Sequence, residues 1–173
     1  SYAEMVIVAE EIARVCMTTS TTHLTHLSLS EASIERFGSS EQRQRFLPAM
    51  ASGDKLGAFG LTEPSSGSDA SDMQTTATRK GSDAYVLNGA KIFITNGGAE
   101  VHLVLARDSE TYDQSKGTTN GLNLLLCPAH LADGSRNTVS VSRVEEKMGL
   151  HGSPTCGVEF DHAEAFLPGA PGN

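Results

Sequence analysis

The chain has 173 residues, 38% of them apolar, with thirteen basic against twenty-one acidic side chains and a net charge of −8. That is enough for one sizeable core, or for one domain and part of another, and the acidic balance excludes a general nucleic-acid binder. No apolar run approaches the length that spans a bilayer, and any site for a phosphate must be local rather than steered by overall charge. Cys16, Cys127 and Cys156 are far apart and form no Cys-x-x-Cys pair, so they read as reduced, buried thiols of a cytosolic-type protein.

Apolar residues at Tyr2, Met5, Val6, Ala9, Ile12, Ala13 and Cys16 share one helical face, while Glu4, Glu11 and Arg14 stay off it. This predicts an amphipathic helix over residues 2–16. The run from Thr18 to Thr22 is poor in helix propensity and separates it from a second helix over 23–37, with Gly38 as its C-cap. His23 and His26 can share a face of that helix, but no carboxylate or thiol partner is implied, and a packed helix surface is the reading. Ser39 and Gln42 fit a capping box for a short helix that begins at Ser40, is disturbed at Pro48 and closes by Gly53.

From Leu56 the helical period gives way to short β-prone runs at 56–62, 74–80, 84–87, 91–96, 101–107, 122–127, 139–145 and 156–160, separated by glycine-rich turns. Such spacing without intervening helices predicts an antiparallel barrel or sandwich, hence an α+β chain whose N-terminal helical segment precedes a β-domain.

Two stretches carry the chemistry. In FGLTEPSSGSD, from Phe59 to Asp69, an apolar run enters a serine-glycine loop, and Pro64 ends the strand near Thr62. Ser65, Ser66, Gly67, Ser68 and Asp69 can turn backbone N–H groups and hydroxyls toward one point, which suits an anion such as a pyrophosphate, although plain turn chemistry yields the same composition. In YVLNGAKIFITN, from Tyr85 to Asn96, two β-prone runs flank Asn88-Gly89, a strong hairpin signal.

Together the two stretches resemble the flavin-binding middle domain of the acyl-CoA dehydrogenase family, where an L-T-E-P-x-x-G-S-D loop and an N-G-x-K-x-[WF]-I-T-N hairpin hold the isoalloxazine and pyrophosphate of FAD. Residues 38–53 are similar to a G-[ST]-x-E-Q-x-x-x-[FY]-L-P segment of the family's N-terminal helical domain. Residues 147–155 are similar to its K-x-G-x-[RH]-x-S-x-T turn beside the substrate cleft, where a joining loop is the competing reading and His151 a candidate phosphate contact. The resemblance implies an FAD-dependent oxidoreductase that desaturates an acyl-CoA thioester between the α and β carbons, passing hydride to flavin N5. It implies that Thr95 bonds the flavin near N5 and that Phe93 lies against the ring, in a place where the family often has tryptophan. It further implies that Leu61 and Thr62 meet the pyrimidine edge with Phe59 nearby, that Gly67 and Ser68 meet the pyrophosphate, and that Ser68 also approaches the CoA substrate. Each of these residues has an ordinary reading as strand or core.

Glu63 is expected to brace the loop and Asp69 the following turn. The resemblance places no catalytic residue in this chain: the base belongs to a C-terminal helical region or an adjacent helix. On that reading the chain is a fragment, with 1–54 as part of the N-terminal helical domain, 55–166 as the flavin-binding β-domain and 167–173 as the start of a linker. The ending LPGAPGN departs from the family's usual G-x-x-G-x-G connection. The implied partners are acyl-CoA, an electron-transferring flavoprotein and further copies of the chain in a dimer or tetramer, in the cytoplasm or, in a eukaryote, the mitochondrial matrix. Two alternatives remain open at this stage. One is an acyl-CoA oxidase or flavin monooxygenase of the same fold, and the other a non-catalytic β-domain that binds CoA or protein.

Overall fold

The computed structural model describes residues 2–169. Helix α1 (Tyr2–Val15) lies where the apolar period places it. The threonine run does not break the helical region: α2 (Met17–Leu24) continues into a π-helical stretch, Thr25–Glu31, and then α3 (Ala32–Phe37). Local hydroxyl bonds offset the poor propensity. Thr21 Oγ1 donates to Met17 O at 3.0 Å and Ser28 Oγ to Leu24 O at 2.5 Å, each one turn back, while buried Ser20 donates to Ala9 O of α1 at 2.8 Å. Gly38 ends α3, with φ −64 rather than the left-handed value of a glycine cap. Its need is for space, since a Cβ there would stand 2.5 Å from Ile34 O.

Helix α4 (Ser40–Ala51) starts with the predicted box: Gln42 N donates to Ser39 Oγ at 3.1 Å and Ser39 N to Gln42 Oε1 at 2.9 Å. The helix runs through Pro48, where a disturbance was expected, and buries Phe46 and Met50 on either side of it. In the π-helical stretch, His26 Nδ1 accepts from Gly57 N at 3.0 Å, so Nε2 carries the proton and donates to Met50 O at 3.1 Å. This histidine is a peg between helices and sheet.

The strands are β1 (Gly57–Gly60), β2 (Thr76–Arg79), β3 (Ala84–Thr95), β4 (Val101–Asp108), β5 (Leu122–Pro128), β6 (Val139–Val144) and β7 (Thr155–Phe166). Strands β4, β2, β3, β7 and β5 pair in that order and β5 pairs again with β4, so five strands close a ring, with β1 on β4 and β6 on β7. The closing step from β7 to β5 is one residue pair, Phe166 with Leu126. The pairings are mixed rather than wholly antiparallel, because β4 runs parallel to both β1 and β2.

No hairpin forms at Asn88-Gly89. Residues Ala84–Thr95 are one strand, in which Asn88 faces Thr76 of β2 on one side and Asp161 of β7 on the other. Gly89 has φ +146, and a Cβ there would lie 2.8 Å from Thr75 Cα, so the glycine serves a close crossing instead of a turn.

Two apolar clusters fill the molecule. Tyr85, Leu87, Ile94, Val104, Leu125, Val158 and Phe160 occupy the ring, and Ile34, Phe46, Met50, Val101, Leu103 and Leu126 join helices to sheet. Cys127 and Cys156 are buried as expected, whereas Cys16 is exposed at the break between α1 and α2, its Sγ accepting from Thr19 Oγ1 at 3.2 Å; all three are free thiols. Burial pushes the Cys127 thiol up to about 12. Among the described residues, no helix is long and apolar enough to cross a membrane.

Candidate functional site

Strand β1 stops at Gly60, and the next residues form a tight, self-bonded loop. Glu63 N donates to Ser66 O at 2.8 Å and Ser66 N to Glu63 O at 3.2 Å, which folds Pro64 and Ser65 into a turn. Ser66 Oγ then donates to Asp69 O at 2.7 Å, and Asp69 Oδ1 accepts from Ser71 N at 2.8 Å, capping the 3-10 turn Ala70–Asp72. The Ser66 hydroxyl is thus spent inside the loop. Gly67 and Ser68 are exposed, and among the described residues neither has a polar partner. A Cβ on Gly67 would meet only Thr62 Cγ2, at 4.0 Å, so the loop surface there is open.

Strand β3 faces this loop with an irregularity. Its register with β7 shifts between Lys91 and Ile94, and within that bulge Phe93 has φ +59 and is 58% exposed. Left-handed backbone is costly for an aromatic residue and persists only where the surroundings impose it. Here it turns a ring outward. Thr95 follows, half-buried and opposite Thr155, and Ile92 N donates to Thr62 O at 2.9 Å, which ties the loop to the strand. Beyond it Asn96, also at φ +59, sends Nδ2 to Thr22 O at 3.1 Å and Gly57 O at 3.2 Å. One amide therefore fixes α2, β1 and the end of β3 together.

Beneath these groups lies an ion pair. Lys91 Nζ reaches Glu63 Oε1 at 2.6 Å and Leu61 O at 3.1 Å, and the two side chains are 0% and 2% exposed. The Glu63 carboxylate also accepts from Gln74 N at 2.6 Å and Thr75 N at 3.0 Å. Burial alone would raise the Glu63 carboxyl, but the Lys91 charge and these hydrogen bonds hold it below its usual value. Burial draws the Lys91 ammonium below the ordinary lysine value, against the pull of Glu63. Glu63 is therefore the loop brace that its position suggested. Arg107, which the sequence reading left unassigned, is fully buried, with no carboxylate paired to it among the described residues. Its guanidinium donates to the carbonyls of Met73, Ser115, Asn120, Ser71 and Thr118 at 2.8–3.3 Å, gathering the 71–73 and 115–120 loops around one cation.

The residues picked from sequence thus converge unevenly. The Thr62–Ile92 bond ties the segment of Leu61 and Thr62 to the strand that carries Phe93 and Thr95, and Gly67 borders Thr62. The ring of Phe59, by contrast, packs into the helix-sheet core. His151 Nε2 bonds Lys147 O at 2.6 Å, within its own loop. A cavity of about 810 Å³ lies elsewhere, lined by Arg36, Phe37, Arg43, Leu122, Leu124 and Leu167, and none of the candidate residues lines it. The candidate surface is an open face. It offers an outward aromatic ring, two half-buried threonines and a serine-glycine loop with unspent N–H and hydroxyl groups, a set that fits a planar heterocycle with polar edges and an anionic tail. Lys91 and Asn96 stood inside the motif, but nothing in their spacing announced that one would be buried under the loop and the other would clamp the helices.

Two family models match the chain. The family model described as "Acyl-CoA dehydrogenase, middle domain" matches residues 58–163, and "Acyl-CoA dehydrogenase, N-terminal domain" matches 1–54. A short-chain specific acyl-CoA dehydrogenase of Clostridium acetobutylicum is 39% identical over 157 residues, 90% of this chain and 38% of its own length. The structure of butyryl-CoA dehydrogenase from Megasphaera elsdenii superposes with a TM-score of 0.79 at 35% identity, covering 95% of this chain and 42% of that one. An acyl-CoA dehydrogenase complexed with FAD from Bacillus anthracis gives a TM-score of 0.77 at 33% identity, covering 94% of this chain and 26% of that one. The chain spans about two fifths of the length of the first of these relatives.

Proposed function

The chain belongs to the acyl-CoA dehydrogenase family, and from that premise we propose that it supplies one wall of an FAD site in an enzyme that desaturates acyl-CoA thioesters. The observation that carries the reading is the Ile92–Thr62 bond of 2.9 Å, which ties the loop motif to the strand motif next to the outward-turned Phe93. When bound, the flavin supplies the acceptor for the hydride that leaves the β-carbon.

The chain's residues bind and orient. The Phe93 ring covers one face of the heterocycle and keeps water from it. Phenylalanine in place of tryptophan keeps the stacking surface and omits an N–H donor. The hydroxyls of Thr62 and Thr95 and the backbone around Leu61 would hold and orient its polar edge. Gly67 and Ser68 present N–H groups and a hydroxyl to the pyrophosphate, and Ser68 extends that surface to the CoA moiety. Phe59 contributes through its backbone, since its ring is held in the core. The group that takes the α-proton is assigned to no residue of this chain.

On the same reading, 1–54 form part of an N-terminal helical domain, 55–166 the flavin-binding domain and 167–173 the start of a linker to a C-terminal helical domain. Electrons pass on to an electron-transferring flavoprotein. Exposed apolar side chains along the first helix, Val6, Ile7, Val8 and Val15 among them, support burial against further protein, including another copy in a dimer or tetramer. The free thiols accord with a cytoplasmic or mitochondrial-matrix protein.

The test is the absorbance of the full-length protein titrated with FAD. Bound-flavin bands that bleach anaerobically on adding an acyl-CoA are the expected result, with Phe93→Ala weakening FAD binding about tenfold through lost ring contact. A full-length protein that takes up no flavin overturns the reading.

A further inference from the structure

We propose that the buried Lys91–Glu63 pair is a positioning device for the flavin-facing backbone, and that its role in aligning that backbone is separable from its role in stability. The inference rests on the flavin site proposed above.

The geometry that carries it is local. Lys91 Nζ holds Leu61 O at 3.1 Å from inside the protein. No peptide bond in the described chain is cis, so the Leu61–Thr62 unit is trans, and its C=O and N–H point in opposite directions. Holding the carbonyl inward therefore turns Thr62 N–H outward, and that N–H has no acceptor among the described residues. The stem of Lys91 runs under Gly60, where a Cβ would come within 3.4 Å of Lys91 Cγ, so the ammonium arrives from directly beneath the strand end.

Glu63 fixes the other side. Its carboxylate takes Lys91 together with the N–H groups of Gln74 and Thr75, and its backbone closes the turn with Ser66. The loop that carries Gly67 and Ser68 is thus referenced to the same ammonium as Leu61 and Thr62. Lys91 is two residues from Phe93, on the far side of the bulge that turns the ring out. One cation sets the height of the loop, the direction of a donor and the start of the strained segment, while touching no ligand itself.

A purely structural ion pair and a positioning one respond differently to replacement. Exchanging both charges for neutral side chains removes the burial cost along with the attraction, so it costs much less stability than removing one partner alone. The carbonyl of Leu61, however, then has no ammonium to hold it. The experiment compares full-length wild type, Lys91→Met and the double variant Lys91→Met/Glu63→Gln by thermal unfolding without flavin, FAD dissociation constant, visible spectrum and flavin midpoint potential. The double variant is expected to recover the unfolding temperature lost in Lys91→Met, yet to bind FAD about tenfold more weakly than wild type, with a shifted spectrum and potential. A double variant that recovers wild-type affinity, spectrum and potential together with its stability overturns the inference and leaves the flavin site standing. A wild-type protein that binds no flavin overturns both.

Discussion

At position 63 a carboxylate is almost wholly buried and held below its ordinary pKa of 4.5 by what surrounds it. A group whose folded pKa is depressed adds stability that is complete above its unfolded value and is lost as pH falls through the folded one. The Lys91–Glu63 contribution is therefore present at neutral pH and disappears on the acid side of 4.5. In Glu63→Gln, stability at neutral pH should fall by about 3–5 kcal/mol, because a buried ammonium is left without its partner. The variant's acid limb should also be flatter than wild type's, since one group that drives acid unfolding has gone. Urea unfolding at a series of pH values from 7 downward measures both effects, and parallel acid limbs would remove Glu63 from the account. Arg107 makes a complementary point: its cation is held by five carbonyl oxygens and the Ser115 hydroxyl, so it orders loops by hydrogen bonding, with no counter-charge paired to it among the described residues.

Among the elements, β3 shows best what the sequence made legible and what it hid. Its β-prone residues could be read from residue type alone, whereas Thr95, like Thr62 of the facing loop, was singled out only by the family resemblance. The strand's continuity could not, because Asn88-Gly89 is the usual material of a hairpin and only the crossing of Thr75 against Gly89 explains the glycine. That crossing predicts that Gly89→Ala destabilises the protein by about 3 kcal/mol through overpacking and a strained φ, readable in denaturant unfolding. A change within 0.5 kcal/mol would restore the turn reading. The helices teach the same lesson from the other side. Propensity argued against helix at Thr18 to Thr22, and the outcome was decided by hydroxyl bonds to the preceding turn and by burial of Ser20 against α1. The capping box at Ser39 was legible because its two bonds are local. Its second duty was not, since Gln42 also donates to Leu167 O at 2.7 Å and accepts from Gly169 N at 3.0 Å, more than a hundred residues away.

For the molecule as a whole, the division into helices and then strands followed from the change of period at Leu56, and the family motifs fell in order along it. The ring closure and the two parallel pairings of β4 had no local signature, because parallel neighbours are set by crossovers that residue patterns do not encode. A truncation that ends before residue 155 should therefore leave a chain with helical circular dichroism but no cooperative thermal transition, whereas one that ends after 169 keeps the transition.

The position of β7 also has a consequence for synthesis. It comes last in sequence among the described strands, yet it is the neighbour of β3, β5 and β6. While the ribosome is still short of it, β3 has only β2 beside it, and the edge that will bear Phe93 is open to any strand that meets it. The strained segment at residue 93 can then form only once Val158 and Cys156 have been made and arrive to impose the bulge. The surface proposed to receive the cofactor thus waits on a strand made well after the motifs that compose it.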